Sequence, residues 1–334
     1  MVTTGRPRYH QAVQRTDAEQ MLLNVVRLKY RDTPFFLQVA SISANFEFEG
    51  SADASVNLPN NGSAIWDLAV GGRVLESPTV TYTPLQGEQF VRQLMSPIDL
   101  NTVLLLYHSG WSIDRIFRVC VQELNDVPNA PTAAGPTPDD APTYETFQEA
   151  TRLLRSLQRR GDLELGSADD EQGGLNLRLK PEALESLQWQ RLAAILSLPS
   201  ERNSFHITMG VGRVREEGEI RLITRSLVSA LFYLSHGVAV PPEDEAAGRV
   251  TLTRQASGEP FDWHKLTGDL LRVQVSREPP DNFAVRTRYR NTWFYIDDSD
   301  LPSKSTFTML GQLFQLQGGD VPTTAPLLTL PVSR

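Results

Sequence analysis

One cysteine stands in 334 residues, Cys120. A disulfide within the chain is therefore excluded, and so is a zinc site built on thiolates. A single thiol leaves the redox compartment open, because low cysteine content suits the cytosol and a bacterial periplasm alike. Long apolar runs are also missing: stretches such as 103–107 and 227–234 fall far short of the roughly 20 residues that a membrane-spanning helix needs. There is no basic excess either. With 32 Lys+Arg against 40 Asp+Glu the formal net charge is −8, which disfavours nucleic acid or anionic lipid as a general partner. The first ten residues contain no apolar core of a signal peptide, so the chain reads either as cytoplasmic or as a mature form whose export signal has been removed. Gly-x-Ser-x-Gly, Gly-x-x-x-x-Gly-Lys and Gly-x-Gly-x-x-Gly runs are absent, and with them the commonest nucleophile and phosphate-binding turns.

What is present reads as a globular α+β protein, since 40% of residues are hydrophobic and 22% charged. A helix is predicted over 17–30, with Thr16 and Glu19 as a capping box and Pro34 beyond its end. Residues 35–49 alternate as a strand: Ile42, Ala44, Phe46 and Phe48 share one face, and Ser41, Ser43, Asn45 and Glu47 the other. The Asn, Gly and Ser content of 50–72 suggests short strands with turns or a surface excursion, followed by a short strand over 78–84. Three helices are expected at 86–95, 99–107 and 112–125, the last with Ser112 as N-cap and Cys120 on its apolar stripe. Residues 127–143 hold five prolines and read as a linker. The predicted organisation is thus an N-terminal α+β domain over 1–126, a Pro-rich linker over 127–143 and a C-terminal α+β domain over 144–334. The sheets are mixed or antiparallel and packed with helices, because helices and strands succeed one another without a βα repeat.

Within the second part, 144–200 has the order of a winged helix: a helix stopped by Gly161, a strand, an acidic loop at 169–171, a second strand, and a helix near 181–196. The remainder, 201–334, reads as sheet plus helices, with 220–236 mostly helical and strands at 270–275 and 283–289. Arg152, Arg155, Arg159 and Arg160 would form the basic face of a winged helix, suited to DNA or to a protein partner; the carboxylates of the loop would repel phosphate. The most legible block is 282–317, a hairpin turning at Arg290-Asn291 and leading into a final helix capped by Ser303 or Ser305. Asp297, Asp298 and Asp300 lie between them. Three carboxylates in four residues could hold Mg²⁺ or Ca²⁺ and support a metal-dependent enzyme; alternatively they make the turn and favour the helix N-terminus. The five histidines are scattered, and His206 and His236 lie in apolar surroundings. Trp293 and Tyr295 could stack on a partner, or fill the core as strand aromatics usually do. No catalytic residue, cofactor site or firm metal site emerges.

Three stretches together resemble a family of uncharacterised bacterial envelope proteins, many of them exported lipoproteins: 15–39 with its Gln20-Met-Leu-Leu-Asn-Val-Val-Arg-Leu-Lys-Tyr run, 78–126 with Ser109-Gly-Trp-Ser, and 224–316 with Arg225-Ser-Leu, Phe232-Tyr-Leu-Ser-His and Trp293-Phe-Tyr-Ile-Asp-Asp. The resemblance implies a location in the periplasm or at the outer membrane, with peripheral or lipid-anchored attachment. The lipid-bearing cysteine of such precursors is not in this sequence. The expectation is a non-enzymatic structural or assembly protein of the envelope, acting through contacts with other envelope proteins or by self-association.

Overall fold

The computed structural model describes residues 5–57, 65–84, 88–135, 140–168, 174–210, 216–318 and 328–331. The chain forms two compact units, Met1–Phe35 with Gln86–Val321, and Phe36–Leu85 with Pro322–Arg334. The fold class is α+β. In chain order the elements are α1 (Gly5–Lys29), β1 (Leu37–Asn57), β2 (Ile65–Pro84), α2 (Glu88–Met95), α3 (Leu100–His108), α4 (Ile113–Cys120), β3 (Val121–Leu124), β4 (Val127–Pro128), α5 (Glu145–Arg160), β5 (Leu163–Ser167), β6 (Leu175–Leu179), α6 (Leu187–Leu196), β7 (Ser204–Met209), β8 (Glu219–Thr224), α7 (Leu227–Ser235), α8 (Pro242–Ala246), α9 (His264–Thr267), β9 (Gln274–Ser276), β10 (Val285–Tyr289), β11 (Thr292–Ile296), α10 (Leu301–Gly318) and β12 (Leu328–Pro331).

The larger unit is built on a mixed six-stranded sheet of order β4-β3-β8-β7-β6-β5, in which only β7 and β8 run parallel. Its apolar face meets α4, α5 and α6. Phe117, Leu154, Leu177, Trp189, Leu192, Ile207 and Ile220 converge there, with the Trp189 and Phe205 rings 5.2 Å apart. A second, antiparallel sheet of order β10-β11-β9 packs its β10 strand against α1. Two hairpins in this unit use two-residue turns with both residues at positive φ, Asn125-Asp126 and Arg290-Asn291, as type I′ geometry requires.

The Pro-rich stretch does not divide this unit. β3 lies before it and β8 after it, yet they are neighbours in one sheet, and Ala130 and Ala133 within it are buried. The physical reason is a set of backbone-directed side chains. Asn129 Nδ2 donates to the carbonyls of Arg118 (3.0 Å) and Val121 (2.6 Å), so proline-rich chain that cannot form regular ladders is fixed by side-chain bonds instead. Arg225, at the end of β8, completes the knot. Its Nη1 donates to the carbonyls of Arg118 (2.9 Å), Val119 (3.3 Å) and Val121 (3.0 Å), and its Nη2 to that of Asn129. The guanidinium lies over the Tyr233 ring, 4.0 Å from its centroid.

Several local expectations change. α1 runs straight through Thr16 from Gly5, so no cap forms there. α4 stops at Cys120, where Val121 adopts extended geometry and pairs with Thr224. The stretch 220–236 is a strand, then a helix capped by the Ser226 hydroxyl, because Ile220 and Leu222 are buried at strand spacing. The strand expected at 270–275 shrinks to Gln274–Ser276, and the helix at 181–196 starts as a 3-10 turn before the Ser186 cap.

In the smaller unit, β1 and β2 form a single antiparallel hairpin of 21 and 20 residues, with one register irregularity at Val39/Ser41. The stretch 50–72 is therefore the outer half of one hairpin, apart from 58–64, which lie outside the described residues. β12 pairs with β2 only at 79–82.

Replacing Arg225 with Leu leaves four buried carbonyls without that donor, at about 1–3 kcal/mol for each group left unsatisfied. The expected result is a loss of unfolding free energy on the order of 3 kcal/mol or more in urea denaturation. Arg225→Lys recovers little, since an ammonium lacks the planar fork that reaches the α4–β3 junction and Asn129 at once.

Candidate interaction surfaces

The three aspartates are drawn to three different partners. Asp297 accepts from Asn282 Nδ2 (3.1 Å) and from the Ser299 backbone N–H (2.8 Å). Asp298 pairs with Lys304 Nζ at 2.6 Å. Asp300 is buried and caps α10, accepting from the Ser303 N–H (3.2 Å), Ser303 Oγ (2.8 Å) and Arg272 Nε (3.1 Å). Burial alone would raise the Asp300 pKa, but these donors hold it below the ordinary carboxylate value. The cap is thus Asp300, not Ser303 or Ser305. Among the described residues no three His, Cys, Asp or Glu side chains converge as a metal site would require.

On α5, the arginines are divided in the same way. Arg155 Nη1 donates to Gln158 Oε1 at 2.6 Å with Asp114 at 3.8 Å. Arg160 pairs with Asp162 at 2.7 Å, while Arg159 is exposed. The expected helix, strand and strand are present, and α4 packs on α5. The loop carboxylates at 169–171 lie outside the described residues. The second strand continues into β7, so the hairpin is part of a larger sheet rather than a free wing. Arg152 borders an open groove with His264, Lys265, Asp269, Arg272 and Pro302. Asp269 is tied to Arg118 by two bonds of 2.6 Å and Arg272 to Asp300, so the net positive charge of the groove comes from Arg152 and Lys265. Lys265 and Arg272 were not foreseen, because only the fold brings them beside Arg152. Trp293 and Tyr295 are half-buried: Arg286 lies 5.1 Å from the Trp293 ring, and the Tyr295 hydroxyl donates to Gln274 at 2.9 Å.

Two titratable groups of the interior serve packing. Burial pushes the Cys120 thiol up to about 12, so it is inert at neutral pH. His236 stacks on Trp263 with centroids 3.8 Å apart, and its Nε2–H donates to the Ala133 carbonyl at 3.2 Å. Burial first, then the nearby Lys29 charge, pushes its pKa down to about 3.

The hairpin of the smaller unit offers a surface of another kind. β1 has one paired edge and β2 is paired on its far side only at 79–82; among the described residues the other edge of β1 and residues 65–78 of β2 have no strand beside them. Its faces follow from the register. Phe48, Gly50, Ala52, Ala54 and Val56 lie opposite Val74, Gly72, Val70, Leu68 and Trp66, all apolar. The other face sets Glu49 opposite Arg73, Asp53 opposite Ala69 and Ser55 opposite Asp67. The alternation seen at 42–48 was the signal that could have revealed this; it continues unbroken to 56. Among the described residues no helix is long and apolar enough to cross a membrane. Comparison with protein-family models, with curated proteins and with solved structures finds no match.

Two outcomes follow for the larger unit. Asp300→Ala should cost about 1–2 kcal/mol as a lost helix cap, whereas Asp298→Ala should shift the urea midpoint too little to resolve, its partner being an exposed lysine. For His236 the folded pKa lies below the ordinary 6.5, so the unfolded chain takes up the proton first. Its contribution therefore lowers stability as pH falls below about 6.5, at up to ~1.4 kcal/mol per pH unit. Urea titrations between pH 7.5 and 5 should show that slope in the parent chain and a flatter one in His236→Gln.

Proposed function

We propose that this chain is a non-enzymatic assembly protein of a bacterial cell envelope, and that it assembles by pairing the edges of its β1–β2 hairpin with copies of itself. One observation carries the reading: strands of 21 and 20 residues whose outer edges are unpaired over most of their length among the described residues. An unpaired edge is a row of backbone donors and acceptors that readily accepts another strand. Soluble proteins blunt such edges or keep them short, with strands of roughly five or six residues as the usual length. A hairpin about four times that length stands alone poorly in water, since two-stranded ribbons are marginal by themselves. The envelope location draws its support from the three stretches that resemble envelope lipoproteins. The polar organisation of the larger unit agrees with a protein that works by contact: its arginines and aspartates hold one another, and its groove, charged by Arg152 and Lys265, would suit an acidic surface.

The test is the mass of the assembly. Light scattering of the full chain in buffer, in detergent micelles and with vesicles should show a discrete oligomer in at least one of the three. A variant in which 46–76 are replaced by Asn-Gly, joining Asn45 to its register partner Ser77, should remain monomeric with an unchanged thermal midpoint for the larger unit. A full chain that is monomeric in all three conditions, or a shortened variant that still assembles, would sink the reading.

A further inference from the structure

We propose that the β1–β2 hairpin crosses a lipid bilayer as one element of an oligomeric β-barrel, each copy contributing two strands; the proposal rests on the edge pairing described above and adds the solvent that surrounds it. Four features of the backbone register lead there.

The first is length. Along residues 48–56 and 66–74 one face holds only Phe, Gly, Ala, Val, Leu and Trp, which is nine residues on each strand. Strands that cross a bilayer need roughly 9–11 residues at their usual tilt. The second is how that band ends. At the base the next register pair on the same face is Phe46 and Glu76, a charge that would lie outside hydrocarbon. At the other end the last described pair of the band is Val56 and Trp66. Tryptophan at the rim of an apolar band is the placement favoured at a membrane interface.

The third feature is the opposite face. On β1 it carries Glu47, Glu49, Ser51, Asp53 and Ser55, and on β2 Asp67, Ala69, Gly71, Arg73 and Leu75. An unbroken apolar face backed by one that carries the charged and hydroxyl positions is the pattern of a barrel wall, lipid on one side and water on the other. The fourth is the unpaired edges. Within hydrocarbon every backbone N–H and C=O must be paired, so a lone hairpin is excluded and only closure through further copies satisfies both edges. The smallest closed barrels have about eight strands, which sets a minimum of about four copies. β12 pairs with β2 only at 79–82, below the band, and leaves 66–74 free to pair between copies. The three carboxylate positions within the band, Glu49, Asp53 and Asp67, against Arg73, would line the water-filled interior and make it prefer cations.

The experiment uses the purified full chain with vesicles of phosphatidylcholine and phosphatidylglycerol loaded with a self-quenched dye. Dye release should accompany an oligomer that floats with the vesicles. Ala52→Arg and Val70→Arg, on the apolar face, should each reduce release at least tenfold while the larger unit keeps its thermal midpoint. In planar bilayers the parent should pass cations over anions, and Asp53→Asn with Asp67→Asn should release dye but lose much of that preference. Oligomers that form in buffer yet neither float nor release dye would overturn the membrane proposal and leave edge pairing intact. Equal loss of release from both faces would overturn it as well. Absence of any oligomer removes both readings together.

Discussion

The larger unit depends on one buried cation. Arg225 is 1% exposed and answers its charge with carbonyl oxygens from two separate stretches and with the face of Tyr233. Taking a guanidinium out of water costs several kcal/mol, and only dense hydrogen bonding offsets that cost. Burial lowers its pKa to about 10, so it remains a cation at neutral pH. The geometry explains why an arginine is needed. Its fork reaches the end of α4, the start of β3 and Asn129 at once, while its own backbone pairs with Cys120 and Ile98. α4, β3, β8 and the Pro-rich stretch therefore meet at one side chain. Arg118 extends the same logic outward, through Asp269 and the Leu266 carbonyl, to the segment around α9 that borders the basic groove.

This arrangement shows why composition misplaced the division of the chain. Five prolines among Ala, Thr and Asp do predict a segment without regular ladders, and little of it is regular. What composition cannot carry is where such a segment lies. Asn129 ties it to the carbonyls of Arg118 and Val121, and Arg225, nearly a hundred positions further on, binds its backbone at the Asn129 carbonyl; neither residue differs locally from any surface Asn or Arg. Local signals fared well where local physics decides: the Gly161 cap at φ 69 and the Arg290-Asn291 turn were legible, while Ser112 stands at the N-cap of α4 without a side-chain capping bond. They failed where pairing partners decide, as at Val121, which pairs with Thr224, and at Ile220, which pairs with Ile207.

The site candidates follow the same division. Asp297, Asp298 and Asp300 are adjacent in sequence, and adjacency alone suggested a shared ligand. Around a turn and a helix start, however, successive side chains point apart. The hydrogen bonds drew each to its nearest donor, giving an Asx-type turn, a surface pair and a buried cap. Arg155 and Arg160 have carboxylate partners for a related reason: Asp114 and Asp162 lie within reach of them. Charge patterns read along a helix cannot see carboxylates that arrive from other elements.

The hairpin was the reverse case, since nearly everything needed to read it lies in the sequence. Gly50 and Gly72, Ala52 and Val70, Ala54 and Leu68 are register partners, so the small residues that suggested turns sit opposite one another inside a continuous ribbon. Glycine weakens a strand because it adds no packing surface and loses more entropy on ordering. A ribbon of this length with a Gly pair in its apolar band is therefore poorly suited to stand in water by its own contacts. Lipid changes the balance. In hydrocarbon an unpaired backbone group costs several kcal/mol, so strand pairing is enforced by the solvent and the strand need not derive its stability from bulky side chains. In the proposed barrel the same sequence that looks like a weak surface excursion in water would be a well-specified wall element, its two edges paired with two further copies of the chain.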